Sequence, residues 1–320
     1  MVDGRLEDLV ISPDTDFAPG AVFRGTVERV VKGGAFVTLP GGQGFLRGGG
    51  KVKQGHSVLG QVSSFAEPGK AIPLTERLVF KGRTVVVTPG ADGMNLSRQI
   101  KNEDERLRLF SAVDTFKAAT SSHGIVVRTA AQRAENTEIE EEVDRILDWA
   151  DDVLAKWKGP PALLSEALSP AAYAQREWMS SEDRIWAAED AFERHGVLDA
   201  IEKLRGPSAK LGEGSMVTER TRALVAVDVN TGGDFSPASG LKANLAVARE
   251  LPRQLRLRGL GGKIAVDFAP MPKNQRRTLE EALKKAFRAD AIETSLVGWT
   301  TLGLFELQRK RERWPLMELI

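Results

Sequence analysis

Residues 223–270 read ALVAVDVNTGGDFSPASGLKANLAVARELPRQLRLRGLGGKIAVDFAP, and this stretch decides the fold of the carboxyl-terminal part of the chain. Its first apolar run, 223–229, alternates in period two, which predicts a strand. That strand carries Asp228 and Asn230 two positions apart, so both side chains lie on one face. Apolar residues at helical spacing follow the next loop and predict a helix over 241–258, which a glycine cluster ends.

A second apolar run, 264–266, ends in Asp267 and completes a β-α-β pattern. Two strands joined in this way run parallel, and parallel sheets bind ligands at the carboxyl ends of their strands. Asp228 and Asp267 are therefore expected to meet there with Asn230, as hard oxygen donors suited to Mg²⁺. On the pattern alone the two aspartates are also compatible with turn formers or helix caps.

The segments VDVNTGG and NLAVARELPRQLRLRGLGGKIAVDF resemble the catalytic core of the ribonuclease E/G family. This resemblance implies that Asp228 and Asp267 bind a catalytic Mg²⁺ ion and that Asn230 assists at the same site. It also implies a multidomain α/β protein with an OB-type RNA-binding barrel inserted in an α/β scaffold and a carboxyl-terminal DNase I-like catalytic domain. The expected amino-terminal segments are a scaffold segment in 1–19, whose strand covers 4–11, and the barrel in 20–77. A 5′-sensor-like segment follows in 78–131. The remaining segments are a helical, reduced ribonuclease H-like scaffold in 132–214 and the metal-dependent catalytic domain in 215–320.

The composition is that of an ordinary globular protein. The 320 residues are 42% hydrophobic and 28% charged, with a net charge of +1. The near-neutral balance gives no global nucleic-acid signal, so a basic surface must come from uneven charge distribution. There is no cysteine, no apolar leader and no transmembrane run, which favours a reducing, cytoplasmic setting.

Short alternating runs separated by glycines predict five strands of a small barrel, the number in an OB fold. We expect them at 22–31, 34–39, 44–46, 56–63 and 71–74. Phe36 and Phe45 flank a glycine-rich turn among cations, a pattern that suits single-stranded RNA, although an isolated strand phenylalanine is more often a core residue. The run RGTVERVVKGGAFVTLPGGQGFL resembles the family's barrel, which implies RNA contacts by Phe36, Phe45 and Lys70. The segment 47–54 lacks the family's long helical insertion.

The segment 78–131 has the order strand, TPG, LSRQI, helix and GIVVRTA. The patterns predict strands over 83–88 and 124–129 and a helix over 103–118. An arginine and a hydroxyl at a strand end can hold a terminal phosphate, but the spacing alone favours a surface arginine in a local ion pair. The segment resembles the family's 5′-monophosphate sensor. The resemblance implies that the phosphate-binding residues are Gly124, Arg128 and Thr129 and that Arg98 contacts RNA.

Beyond this segment, 132–214 reads as mostly helical, with helices over 138–158 and within 181–204 and no visible chemistry. After Asp267, a helix over 274–288 carries Arg276 and Arg277 in its first turn. Cations there suit a phosphate beside a metal, or are simply exposed. Pro270 stands where the family often has a further acidic residue. A strand-like stretch over 294–309 comes last.

The sequence therefore predicts a Mg²⁺-dependent endoribonuclease that cleaves single-stranded RNA and favours 5′-monophosphorylated ends. The alternative is a non-catalytic RNA-binding regulator that retains the fold. A nucleotide-binding enzyme is disfavoured, because TGGDFSPASG is neither a dinucleotide fingerprint nor a P-loop. The absence of cysteine predicts no cysteine–zinc-linked dimer of the family type and leaves the oligomeric state open.

Overall fold

The chain forms two compact units in a computed structural model, which describes residues 1–48, 52–178, 184–233, 236 and 238–320. One unit is Asp14–Asp183, and the other combines Met1–Pro13 with Arg184–Ile320. Three predicted segments include residues that lie outside the described ones. These residues are 49–51 of the short segment 47–54, 181–183 of the predicted helical stretch 181–204, and 234, 235 and 237 of the loop after Asn230.

The unit Asp14–Asp183 contains the predicted five-stranded barrel. Its strands are β1 Val22–Val31, β2 Gly34–Leu39, β3 Gly42–Arg47, β4 Ser57–Val62 and β5 Ile72–Thr75. The order β1-β2-β3-β5-β4 closes because β4 pairs again with β1. Inward residues of alternating strands, among them Phe23, Val37 and Leu46, fill the barrel. This closed arrangement fits an OB-type fold.

A four-stranded sheet and three helices complete this unit. The elements are β6 Phe80–Lys81, β7 Val85–Pro89, β8 Met94–Leu96, α1 Glu103–Asp114, β9 His123–Val127, α2 Asn136–Ala155, β10 Ala162–Ser165 and α3 Pro170–Glu177, with short 3₁₀ turns at Ala119–Ser121 and Thr129–Arg133. The sheet order is β6-β7-β9-β8. Strand β10 corrects the mostly helical expectation for 132–214, because it pairs antiparallel with β1 as a sixth strand beside the barrel. Its four residues are too few to show a period in the sequence.

The second unit is a mixed sheet with two long helices. Its elements are α4 Ala191–Arg194, α5 Val197–Arg205, β11 Ser208–Leu211, β12 Gly214–Arg220, β13 Val225–Asn230, α6 Ser239–Leu257, β14 Gly262–Asp267, α7 Arg276–Ala289, β15 Thr294–Trp299 and β16 Phe305–Arg309, with 3₁₀ turns at Lys273–Gln275 and Leu316–Glu318. The order is β11-β12-β13-β14-β16-β15. Strands β13 and β14 are parallel, which confirms the predicted β-α-β unit, while the other described pairings in this sheet are antiparallel.

Helices α6 and α7 share a core with one face of this sheet. Val225, Val227 and Val229 of β13 and Ile264 and Val266 of β14 are buried in one cluster with leucines of both helices. Because side chains alternate along a strand, the residues between these valines and isoleucines face the other way. The core thus fixes which residues of β13 and β14 remain on the open face.

The amino-terminal segment is not the strand expected over 4–11. Its one bridge among the described residues joins Val2 to Arg5. Leu6 and Leu9 are instead buried against apolar residues of α5 and α6. The backbone carbonyl of Leu6 accepts hydrogen bonds from Arg253, that of Glu7 from Arg256 and that of Leu9 from Arg313. Arginine side chains thus satisfy backbone groups that a neighbouring strand would satisfy in a sheet.

Candidate functional site

Asp228 and Asp267 lie directly opposite each other on the parallel strands β13 and β14. Neighbouring strands are about 4.8 Å apart, so the two carboxylates leave the same face at adjacent positions. Asn230 follows on that face and donates from Nδ2 to Asp228 Oδ2 over 2.7 Å. All three residues are exposed. The structure therefore brings together the three residues that the sequence singled out.

Among the residues that the structure describes, the charges at this site have no cationic partner. No lysine or arginine of the described residues forms an ion pair with Asp228 or Asp267. Like charges placed opposite each other on neighbouring strands are destabilising. A bound cation would remove that repulsion, and the donor set of two carboxylates and one amide oxygen is the type that Mg²⁺ prefers.

The helix-cap alternative does not fit the geometry. Helix α6 has Ala238 at its N-cap and α7 has Gln275, and neither receives a side-chain cap. Within the described residues there is also no cluster of three or more histidines, cysteines, aspartates or glutamates that could form another metal site. The paired strand ends are therefore the metal candidate that this part of the chain offers.

Asn244 is a positioning residue that the sequence reasoning missed. It is fully buried on α6, where its Nδ2 donates to the Ala269 carbonyl and its Oδ1 accepts from the Ala269 N–H, both over 2.9 Å. This pair of bonds fixes the backbone two residues after Asp267. The available signal was an asparagine in the apolar stripe of the predicted helix, because a buried amide requires partners.

Arg276 lies at the start of α7 and stacks on an aromatic cluster at the end of the sheet. Its guanidinium is 4.1 Å from the ring centre of Trp299, which contacts Phe268 and Phe305. Phe268 follows Asp267, so this cluster marks the same end of β14 as the carboxylates. Within the described part of the chain, the Arg276 side chain has no hydrogen bond or ion pair, and its buried Nε is unpaired. Its neighbour Arg277 pairs with Glu281 and is 88% exposed.

On the barrel, Phe36 and Phe45 form a cross-strand pair outside the core. They are opposite each other on β2 and β3, with ring centres 5.2 Å apart, and the Arg29 guanidinium lies 4.7 Å from the Phe36 ring centre. Both phenylalanines are partly exposed. Lys70 lies in the turn before β5 and pairs with Glu67 over 2.7 Å. The aromatic surface that the resemblance implied is present, in contrast to the core interpretation.

Arg128 and Thr129 lie just past the end of β9 and are both engaged within the protein. Arg128 donates to the Gly82 carbonyl over 2.6 Å and to Glu177 over 2.5 Å. The Thr129 hydroxyl is 3.0 Å from that of Ser97. Gly82 is therefore the glycine whose backbone contacts Arg128.

Gly124, the third residue of the predicted phosphate site, and Arg98, the predicted RNA contact, lie apart from the contact between Arg128 and Gly82. Gly124 is inside β9 opposite Thr88, and a Cβ on it would meet the Ala91 side chain at 2.9 Å. Arg98 is exposed in the turn after β8, and the described residues give it no hydrogen bond or ion pair.

Glu142 of α2 fixes the turn that carries Gly82. Its carboxylate accepts from the backbone N–H groups of Arg83 and Thr84 over 2.8 and 2.6 Å, and from the Thr84 hydroxyl over 2.5 Å. Burial alone would raise the pKa of Glu142, but these hydrogen bonds and the charge of Arg145 outweigh it and lower that pKa. Because the Arg128 N–H donates to the Thr84 carbonyl, Glu142 indirectly positions the Arg128 backbone.

Comparisons with known proteins give one consistent family. The model of the ribonuclease E/G family matches residues 79–186 and 180–312. Ribonuclease G of Escherichia coli strain K12 is 28% identical over 301 residues, which cover 82% of this chain and 61% of that protein. Ribonuclease E of Nostoc sp. strain PCC 7120 is 30% identical over 378 aligned positions, which cover 99% of this chain and 54% of that protein. The chain thus spans between half and two thirds of the length of these relatives.

Proposed function

This chain belongs to the ribonuclease E/G family, and from that membership and its paired carboxylates we propose that it is a metal-dependent endoribonuclease that cleaves single-stranded RNA. The observation that carries the proposal is the register of Asp228 opposite Asp267, with Asn230 bonded beside them and, in the described part of the chain, no cation paired with either charge. We assign residues 215–320, which hold most of β12, strands β13 to β16 and helices α6 and α7, to a DNase I-like catalytic domain.

In this proposal Asp228 and Asp267 hold a Mg²⁺ ion, and Asn230 orients Asp228 through its amide. When bound, the ion supplies Lewis-acid activation of water and of the scissile phosphate. The chain contributes a rigid frame for these donors, because the β13–β14 ladder fixes both carboxylates and Asn244 fixes the backbone after Asp267. Arg276 offers its donors to an RNA phosphate at the same end of the sheet.

The barrel would bind the RNA substrate. The Phe36–Phe45 pair offers aromatic faces and edges for base stacking, and Arg29, Lys70 and Arg98 offer cations for the phosphates. We further propose that Arg128 and Thr129 favour RNA with a 5′-monophosphate, since a guanidinium and a hydroxyl can bind a terminal phosphate through charge-assisted hydrogen bonds. Gly124 contributes to this proposed site only through β9, the strand that ends just before Arg128.

The test is cleavage of a labelled single-stranded RNA by the wild type and by Asp228→Asn and Asp267→Asn, in Mg²⁺ and in EDTA. We expect internal cuts that EDTA abolishes and that each variant reduces on the order of a hundredfold or more, because loss of a ligand exceeds the effect of an outer-shell change. Glu219→Gln is the matched control, since Glu219 is exposed on β12 opposite Ala226 of β13.

Two results would contradict the proposal. Cleavage that persists in EDTA or in both variants would move the chemistry away from these aspartates. RNA that is bound but never cut with any divalent metal would favour the non-catalytic RNA-binding regulator instead.

A further inference from the structure

The carboxylate of Glu177 lies between two guanidinium groups. Its Oε2 accepts from Arg128 Nη2 over 2.5 Å, and its Oε1 accepts from Arg176 Nε over 2.7 Å. The three side chains are largely covered, with 26% of Arg128, 18% of Arg176 and 17% of Glu177 exposed. Two arginines that converge on one pair of oxygens form an anion-binding site, and a residue of the same chain occupies it.

The guanidinium of Arg128 is held in place independently of Glu177. Its Nη1 donates to the Gly82 carbonyl, and that glycine belongs to the turn that Glu142 fixes. Removal of the Glu177 charge would therefore leave the Arg128 guanidinium oriented but without its anion. This geometry separates Arg128 from the present occupant of the site, whereas Arg176 belongs to the same helix as Glu177.

Glu177 is ionised at neutral pH. Burial by itself would raise the pKa of its carboxyl, but hydrogen bonds and charges from Arg128 and Arg176 outweigh burial and hold that pKa below its ordinary value. An external anion must therefore compete with a full negative charge.

The element that carries Glu177 is weakly anchored. Helix α3 has eight residues, none of them buried, and Trp178 at its end is exposed. Local stability falls with the number of buried apolar contacts, so α3 can move at a lower free-energy cost than the core elements. The Arg128 contact is accordingly one that a stronger anion can break without disturbing the sheet.

We infer that Glu177 is an internal competitor for the anion site at Arg128 and so sets how strongly the chain selects RNA with a 5′-monophosphate. A terminal monophosphate carries a charge of about −1.5 to −2 and three acceptor oxygens, so it can displace a carboxylate of single charge. A 5′-hydroxyl cannot displace it. This inference rests on the proposed function and adds the residue that tunes its specificity.

The test is binding rather than cleavage, so that it does not depend on activity. Two fluorescent oligoribonucleotides of one sequence, with a 5′-monophosphate or a 5′-hydroxyl, are titrated with the full chain in EDTA. We expect Glu177→Gln to tighten binding of the monophosphate oligonucleotide by about three- to tenfold and to change the hydroxyl one much less. The double variant Arg128→Ala with Glu177→Gln should lose that gain.

Glu166→Gln is the matched control, because it removes the same charge from an exposed residue of the same segment for which the described structure gives no partner. Equal tightening of both oligonucleotides by Glu177→Gln, or weaker binding of the monophosphate one, would overturn the inference. The same holds if neither wild type nor variant distinguishes the two ends. None of these results depends on whether Asp228 and Asp267 support cleavage.

Discussion

At the residue scale, the arginines of this chain differ in what their donors bind. Arg253, Arg256 and Arg258 belong to the PRQLRLR run of α6, and each donates to backbone carbonyls within the protein. Arg258 is buried, and burial lowers its pKa without removing its charge. Arg276, by contrast, is held by stacking on Trp299 and forms no side-chain hydrogen bond among the described residues, so its terminal Nη donors are available to a ligand although its Nε is buried.

A first prediction compares Arg276→Ala with Arg277→Ala. If Arg276 binds an RNA phosphate, its loss should weaken RNA binding at all sequences and reduce the slope of log affinity against log salt by about one. Arg277 carries the same charge at the next position but pairs with Glu281, so its variant should change affinity less. The measurement is a salt titration of RNA binding for both variants. Equal slopes in the two would contradict a specific role for Arg276.

A second prediction concerns Phe36 and Phe45. Base stacking contributes about 1–3 kcal/mol per base, so Phe36→Ala or Phe45→Ala should weaken single-stranded RNA binding by about five- to a hundredfold. The barrel core should remain folded, since neither ring belongs to it. Val30→Ala is the control, because Val30 is an exposed apolar residue of the neighbouring strand. Unchanged affinity with a folded barrel would exclude the pair from RNA binding.

At the element scale, one buried side chain of helix α2 joins this helix to the 82–84 turn of the barrel unit. A single carboxylate, Glu142, satisfies two backbone N–H groups and one hydroxyl. A Cβ on Gly82 would meet that carboxylate at 2.6 Å, so the close approach requires glycine. Carbonyl groups of this turn accept hydrogen bonds from the side chain and the backbone of Arg128. The packing of α2 is therefore linked to the proposed 5′-phosphate site.

The corresponding prediction is that Glu142→Gln destabilises the protein by about 2 kcal/mol, the typical loss of a hydrogen bond to a charged group. The effect should depend on pH. Because the pKa of Glu142 is lower in the folded protein than its ordinary value of 4.5, its stabilisation is complete above that value and is lost as pH falls through the folded pKa. In urea unfolding, the difference between wild type and variant should therefore be constant above pH 4.5 and should narrow progressively as the pH falls below it. A difference that does not narrow at all below pH 4.5 would contradict an ionic role.

At the scale of the whole molecule, one of the two units is discontinuous in sequence, because the other unit is inserted into it. Met1–Pro13 belongs with Arg184–Ile320, and Asp14–Asp183 lies between them in sequence. Each hydrophobic cluster of the described residues draws its members from one unit. The two units are therefore expected to have separate cores and separable stabilities.

This organisation predicts the effect of removing residues 1–12. Loss of Leu6 and Leu9 removes two buried leucines, about 1.5–3 kcal/mol each, and leaves Arg253 and Arg256 without their carbonyl partners. Hydrogen exchange followed by mass spectrometry should show faster exchange in 184–320 and unchanged exchange in 14–183. Exchange that rises equally in both units would contradict separate cores.

The sequence by itself determined the features that depend on local periodicity. Strands β1 and β2 begin and end where alternation predicted, and the polar positions of β13 placed Asp228 and Asn230 on one face. Helix α1 ends at Asp114, earlier than the predicted 118, because the N–H groups of Phe116 and Lys117 bond to carbonyls three residues back and so leave the α-helical pattern. Periodicity reports which face is buried, and this is a property of neighbouring residues.

The meeting of Asp228 and Asp267 followed from the predicted β-α-β unit, and the structure added their register. Only the tertiary structure decided other long-range contacts: Arg128 meets Glu177 forty-nine positions later, and Arg253 holds the Leu6 carbonyl across 247 positions. No local pattern encodes these partners, because each contact depends on how whole elements pack. The chemistry of the aspartates was readable from residue type and spacing, whereas the occupant of the Arg128 site was fixed by the packing of α3.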